Sequence, residues 1–162
     1  MENIRDNKFL EDILYDIWEN HFCDVPRKNL VVIKFGKYSK RQLGSIKLAH
    51  SGTRIKGIMK NRKEEFLSQD EKSISVITLT GYFRNDLLVP DYVVNATIAH
   101  ELCHYTHGFS SPLEKRFLNP HQGNVIKKEL SQSGLLEEQE MADKWLKKNW
   151  VNVILMYKIG YK

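Results

Sequence analysis

A small α+β fold, with an antiparallel-leaning β-meander packed on a central buried helix and further helices at both ends, is predicted by three observations. The stretch 90–107 carries apolar residues on two helical faces, so it belongs in the middle of a domain and not on its surface. Between residues 30 and 80 lie four short strand-like runs separated by Gly, Ser and Asn. Amphipathic helical stripes flank them on both sides. The 162 residues, 41% hydrophobic and 28% charged, suffice for one soluble domain with a core of its own.

The elements follow in order. Leu10, Ile13, Leu14, Ile17 and Trp18 recur at helical spacing and predict a helix over 6–22, stopped before Pro26. The runs Leu30–Phe35, Leu43–Ala49, Arg54–Met59 and Ser73–Leu79 read as strands of the meander. Pro90 suits the first position of the next helix, about 90–107. On it, Val93, Thr97, His100 and His104 share one face and Val94, Ile98, Leu102 and Tyr105 another, and Gly108 is a natural stop. Asn119-Pro120-His121-Gln122 reads as a helix start, with Asn119 as N-cap, Pro120 first and Gln122 the reciprocal partner of a capping box, for a helix over 120–132. Gly134 then breaks the chain before a last helix over 135–150, which Trp145, Leu146 and Trp150 fix to the core.

The central helix carries the chemistry. His100-Glu101-Leu102-Cys103-His104 is a His-Glu-x-x-His motif. Its two imidazoles stand about 40° apart, one turn up the same face, and can share one zinc ion. Glu101, about 100° round, can reach a water on that ion and act as general base. Imidazoles pointing into packed structure cost free energy unless something satisfies them, which favours a metal over two hydrogen-bonded core histidines. Catalytic zinc takes three protein ligands. His121, at the start of the following helix, is the leading third candidate, and Glu129 on that same helix is the alternative. His107 lies about 10 Å along the axis from His100, too far to converge with it, and suits the negative end of the helix dipole. The metzincin pattern needs Gly at 107 and His at 110, where the chain has His107 and Ser110.

Ile98-Ala99-His100-Glu101-Leu102-Cys103-His104, followed by Asn119-Pro120-His121-Gln122-Gly123, resembles the SprT-like zinc metallopeptidase domain. The likeness covers roughly residues 5 to 133. It implies His100, His104 and His121 as zinc ligands, Glu101 as general base, and substrates among proteins on or near DNA. Two departures stand out. The family's usual His-Gly pair is His121-Gln122 here, with Gly one place later, and the four-cysteine zinc ribbon of many members is absent.

Charge is unevenly spread. Between Val25 and Lys63 there are twelve basic residues and no acidic one, so the other thirteen basic residues share the rest of the chain with all 20 acidic ones. Basic residues alternate with apolar ones at Ile46/Lys47/Leu48 and Arg54/Ile55/Lys56, which would gather charge on one face of the meander and suit a nucleic-acid partner. A solvated, aggregation-resistant sheet face would look the same. Cys23 and Cys103 are the only cysteines, which excludes a disulfide framework and a cysteine zinc site; Cys103 reads as a small packing residue. The N-terminus lacks the form of a signal peptide, and cytoplasmic residence is expected. The expected activity is zinc-dependent peptide hydrolysis, with Tyr82, Arg84 and Tyr105 as nominees for stabilising the oxyanion and the 73–79 strand as the edge for an extended substrate. Two other classes fit the same residues: a zinc-stabilised nucleic-acid module without turnover, and a toxin- or effector-like protease with one narrow target.

Overall fold

A computed structural model describes residues 4–49 and 73–160. The expected strand Arg54–Met59, and with it Arg54 and Lys56, lies outside the described residues. Among the described residues, four α-helices and a three-stranded mixed sheet form an α+β fold: α1 (Asn7–His21), β1 (Leu30–Phe35), β2 (Gly44–Leu48), β3 (Ile74–Leu79), a short 3₁₀ turn (Gly81–Arg84), α2 (Asp91–Thr106), α3 (Val125–Gln132) and α4 (Leu136–Lys158).

The sheet order is β1-β3-β2, with β3 parallel to β1 and antiparallel to β2. This corrects the meander: among the described residues β1 and β2 never pair. The reason lies in β3, which buries Ile74 and Val76 on one face and Ser75, Ile77 and Leu79 on the other. A strand apolar on both faces belongs in the centre. β2 opens on a glycine and ends on exposed Lys47 and Leu48, a composition suited to a sheet margin. Lys34 and Lys47 do share a sheet face, but buried Ile74 and Val76 lie on it too, so it is not wholly solvated.

On the other face, Ile33, Phe35, Ile77 and Leu79 meet α1 and α2. α1 is capped by Asp6, whose carboxylate accepts from the Phe9 amide at 2.9 Å, and it buries Leu10, Leu14, Ile17 and Trp18 as its stripe predicts. α2 is buried along most of its length, including Val93, Val94, Ile98, Leu102 and Cys103. Gly108 ends it at φ 84°; a Cβ there would lie 2.4 Å from the Glu114 carbonyl oxygen, so only glycine fits. α4 runs eight residues beyond the expected end, because Val153 and Tyr157 continue the buried stripe and the Tyr157 hydroxyl donates to the Tyr82 carbonyl at 3.2 Å. Among the described residues no helix is long and apolar enough to cross a membrane.

The entry to α2 is held from a distance. Arg5, 5% exposed, donates to the carbonyls of Phe83 at 2.8 Å and Val89 at 2.6 Å, and to Asp91 Oδ1 at 2.5 Å. Replacing it leaves two carbonyls with no other side-chain donor, whereas Asp91 is 68% exposed and water can replace its bond. Arg5→Ala is therefore expected to cost about 3 kcal/mol and Asp91→Ala less than about 1 kcal/mol in denaturant unfolding. Equal costs for the two changes would contradict a clamp made mainly to the backbone.

Candidate metal centre

His100 and His104 project from α2 as a helical i, i+4 pair, with ring centroids 4.8 Å apart. His121 reaches them from the loop that leads back after α2. That loop turns at Gly108 and at Ser110, a non-glycine residue with φ 54°, and buried polar contacts fix it. Ser75 donates to the Ser110 carbonyl at 2.6 Å, Asn29 donates to Ser75 at 2.9 Å, and the Tyr105 hydroxyl donates to Asn29 at 2.6 Å. The loop's end is a turn, not the first turn of a helix. The Gln122 amide donates to the Asn119 carbonyl at 3.3 Å, and α3 begins only at Val125. Gly123, at φ 53°, interrupts helical geometry between them, and Gln122 Oε1 accepts from the Leu118 amide instead of closing a capping box.

The three histidines expected to act together are nonetheless brought together. The ligating atoms of His100, His104 and His121 all lie within 4.8 Å of one another, and the Nε2 atoms of His100 and His121 are 3.2 Å apart. Two nitrogens bound at 2.0–2.1 Å with tetrahedral angles stand about 3.3 Å apart, so only a modest contraction would bring the third in. Nδ1 of His104 is buried with no hydrogen-bond partner, so no neighbouring group fixes which ring nitrogen is free to bind an ion. Burial, foremost, pushes His104 down to about 3 and His100 down to about 4, which keeps both in the neutral form that binds metals. The donor set and its geometry fit zinc.

Glu101 is 5% exposed on the same helix, and burial raises its carboxyl to about 7. A cation among the histidines would draw it back down. β2 crosses directly over it: a Cβ on Gly44 would lie 2.9 Å from Glu101 Oε1 and 2.8 Å from Thr97 Cγ2. Gly44 is thus a site residue that sequence reasoning missed, and a lone glycine at a strand start carried no signal of it. A cleft of about 590 Å³ opens here, walled by Arg41 to Lys47, the three histidines, Glu101, Ser110 and, from α4, Gln139, Asp143 and Leu146. Gln139 donates to Asp143 at 3.0 Å. The α4 residues were also missed, since an exposed acid on a terminal helix reads as solvated surface.

Other nominees lie elsewhere. Glu129 sits 3.3 Å from His107 Nε2, and this pair, packed by Phe117, joins the end of α2 to α3 away from the three histidines. Glu129 therefore lies outside the cluster that the three histidines form. Tyr105 is fully buried and committed to Asn29. Tyr82 packs edge-on against Tyr38, Trp150 and Tyr157, and Arg84 lies over the Phe35 ring. None of the three lines the cleft, which corrects their nomination as oxyanion donors. The 73–79 strand is central, so the strand beside the cleft is β2. Cys103 is fully buried, and burial pushes its thiol up, as a packing residue requires. Set against protein-family models, curated proteins and solved structures, the chain matches none of them.

Purified protein is expected to bind about one zinc per chain. His121→Ala should weaken binding by at least about a hundredfold, more than loss of an outer-shell partner costs. Glu129→Ala should leave zinc affinity within a few-fold, measured by competition with a chromophoric chelator. The reverse order of effects would return Glu129 to the ligand set.

Proposed function

We propose that this chain is a zinc-dependent metallopeptidase of the His-Glu-x-x-His type. The observation that carries the reading is the convergence of three imidazoles from two separate segments beside a buried carboxylate, on the wall of an open cleft. Zinc held by His100, His104 and His121 would polarise a scissile carbonyl and acidify water. Glu101, buried on the same helix, accepts a proton at its carboxylate and delivers it to the departing amine. β2, which among the described residues pairs only with β3, offers backbone from Gly44 to Lys47 along the cleft for an extended peptide to join.

A purely structural zinc site would need neither the open cleft nor a costly buried carboxylate outside the three histidines. This favours turnover over a zinc-stabilised nucleic-acid module. The SprT-like resemblance and the acid-free segment 25–63 favour substrates among DNA-associated proteins, over one narrow target. Lys47, Arg41, Lys40 and Lys37 supply basic charge along β2 and the loop before it. The two cysteines, both unpaired, suit a cytoplasmic enzyme.

The test is cleavage of casein and histones by zinc-loaded protein, with and without DNA. Glu101→Gln should retain zinc and lose about 10²- to 10⁴-fold in rate, because an amide cannot accept the proton. Zinc-loaded wild type that cleaves nothing, or a fully active Glu101→Gln, defeats the proposal. Gly44→Val supplies a second check. Its side chain would push on Glu101 and Thr97, so turnover should fall about tenfold or more while zinc content holds, since about 1.4 kcal/mol at the barrier is tenfold in rate.

A further inference from the structure

α4 presents an outer face that the metallopeptidase reading does not use. Val151, Leu155 and Ile159 follow one another at i, i+4 and i+8, and are 69%, 50% and 77% exposed. Soluble proteins expose single aliphatics freely, but an aligned row marks an interaction surface. The opposite side of the helix is fully engaged: Ala142, Val153 and Tyr157 are buried, and Trp150 Nε1 donates to the Lys40 carbonyl at 2.8 Å. The row therefore cannot turn inward without undoing the fold.

The charges around the row select its partner. At about 100° per residue, Lys144, Lys147, Lys148 and Lys158 fall on the same outer face, and all are exposed. From Lys144 to Lys162 the sequence contains no acidic residue. Nucleic acid would answer the lysines but not three exposed aliphatics. A surface with both anionic groups and an apolar layer just beneath them answers both.

We propose that the outer face of α4 docks on anionic lipid membranes, with Val151, Leu155 and Ile159 entering the acyl boundary and the four lysines lying among the headgroups. Such binding is in-plane and reversible, resting jointly on buried apolar area and on attraction to acidic lipid. It is independent of the metal centre, because none of these residues lines the cleft.

Sedimentation with vesicles tests it. Wild-type protein should pellet with vesicles of equal parts phosphatidylglycerol and phosphatidylcholine, and not with phosphatidylcholine alone. Binding should weaken with added salt. Lys144→Glu with Lys148→Glu should reduce partitioning at least about tenfold, as loss of two lysines near an acidic surface implies. Leu155→Glu, and the milder Leu155→Gln, should do the same while far-UV circular dichroism and zinc content stay unchanged. Lys47→Glu, on β2 and not on α4, should leave vesicle binding intact. The proposal fails if wild type ignores acidic vesicles at low salt. It also fails if binding follows Lys47 and not Leu155, or if light scattering shows a dimer that Leu155→Glu dissociates.

Discussion

Burying ionisable groups on α2 is the constraint around which the rest of the molecule is arranged. Glu101 and His104 are each 5% exposed, on a helix whose remaining sides are almost wholly apolar. Carried into a core, such groups lose hydration worth several kcal/mol, and they persist only where surrounding structure is rigid and compensation is at hand. α1 and the sheet supply rigidity from one side. Arg5 fixes the point at which the helix begins, and Gly108 fixes where it must stop. Burial keeps His100 and His104 neutral, so the compensation open to them is an ion shared between their rings.

The same burial separates two histidine pairings that look alike along the chain. His100 and His104 face His121 across the cleft, while His107, one turn on, faces Glu129 inside the protein. The loop between α2 and α3 serves both. Its amide at Arg116 donates to the His107 carbonyl at 3.0 Å, and its far end lays His121 beside His100. The Glu129 carboxylate is committed to His107 and stands apart from the other three histidines, so one helix carries both a packing pair and a cluster able to hold an ion.

Much of this was legible in the sequence because it is local. The His-Glu-x-x-His spacing, the all-round apolar character of α2, the Gly108 stop and the inward tilt of Leu10, Leu14 and Trp18 depend only on helical geometry. The strand order was not legible, since a meander and a β1-β3-β2 sheet share the same alternation of residues. The difference lies in which strand is apolar on both faces, and Val76 opposite Ile77 declares it only once pairing is known. Two boundaries moved for identifiable reasons: Gly123 delayed α3, and Val153 with Tyr157 prolonged α4. The contributions of Gly44, Gln139 and Asp143 were hidden because they arise from long-range packing, where sequence neighbours carry no information.

The bond from Trp150 to the Lys40 carbonyl joins positions 110 residues apart, and it has a consequence for the order of events during synthesis. All three histidines and Glu101 precede α4 in the chain and leave the ribosome ahead of it. Yet one wall of the cleft is α4, and the loop leading into β2 is fastened by a tryptophan near that helix's middle. Domains gain their tertiary contacts only as the participating segments emerge. A growing chain can therefore gather its three histidines while still lacking a finished groove for a substrate, and completion of the cleft waits on the emergence of α4.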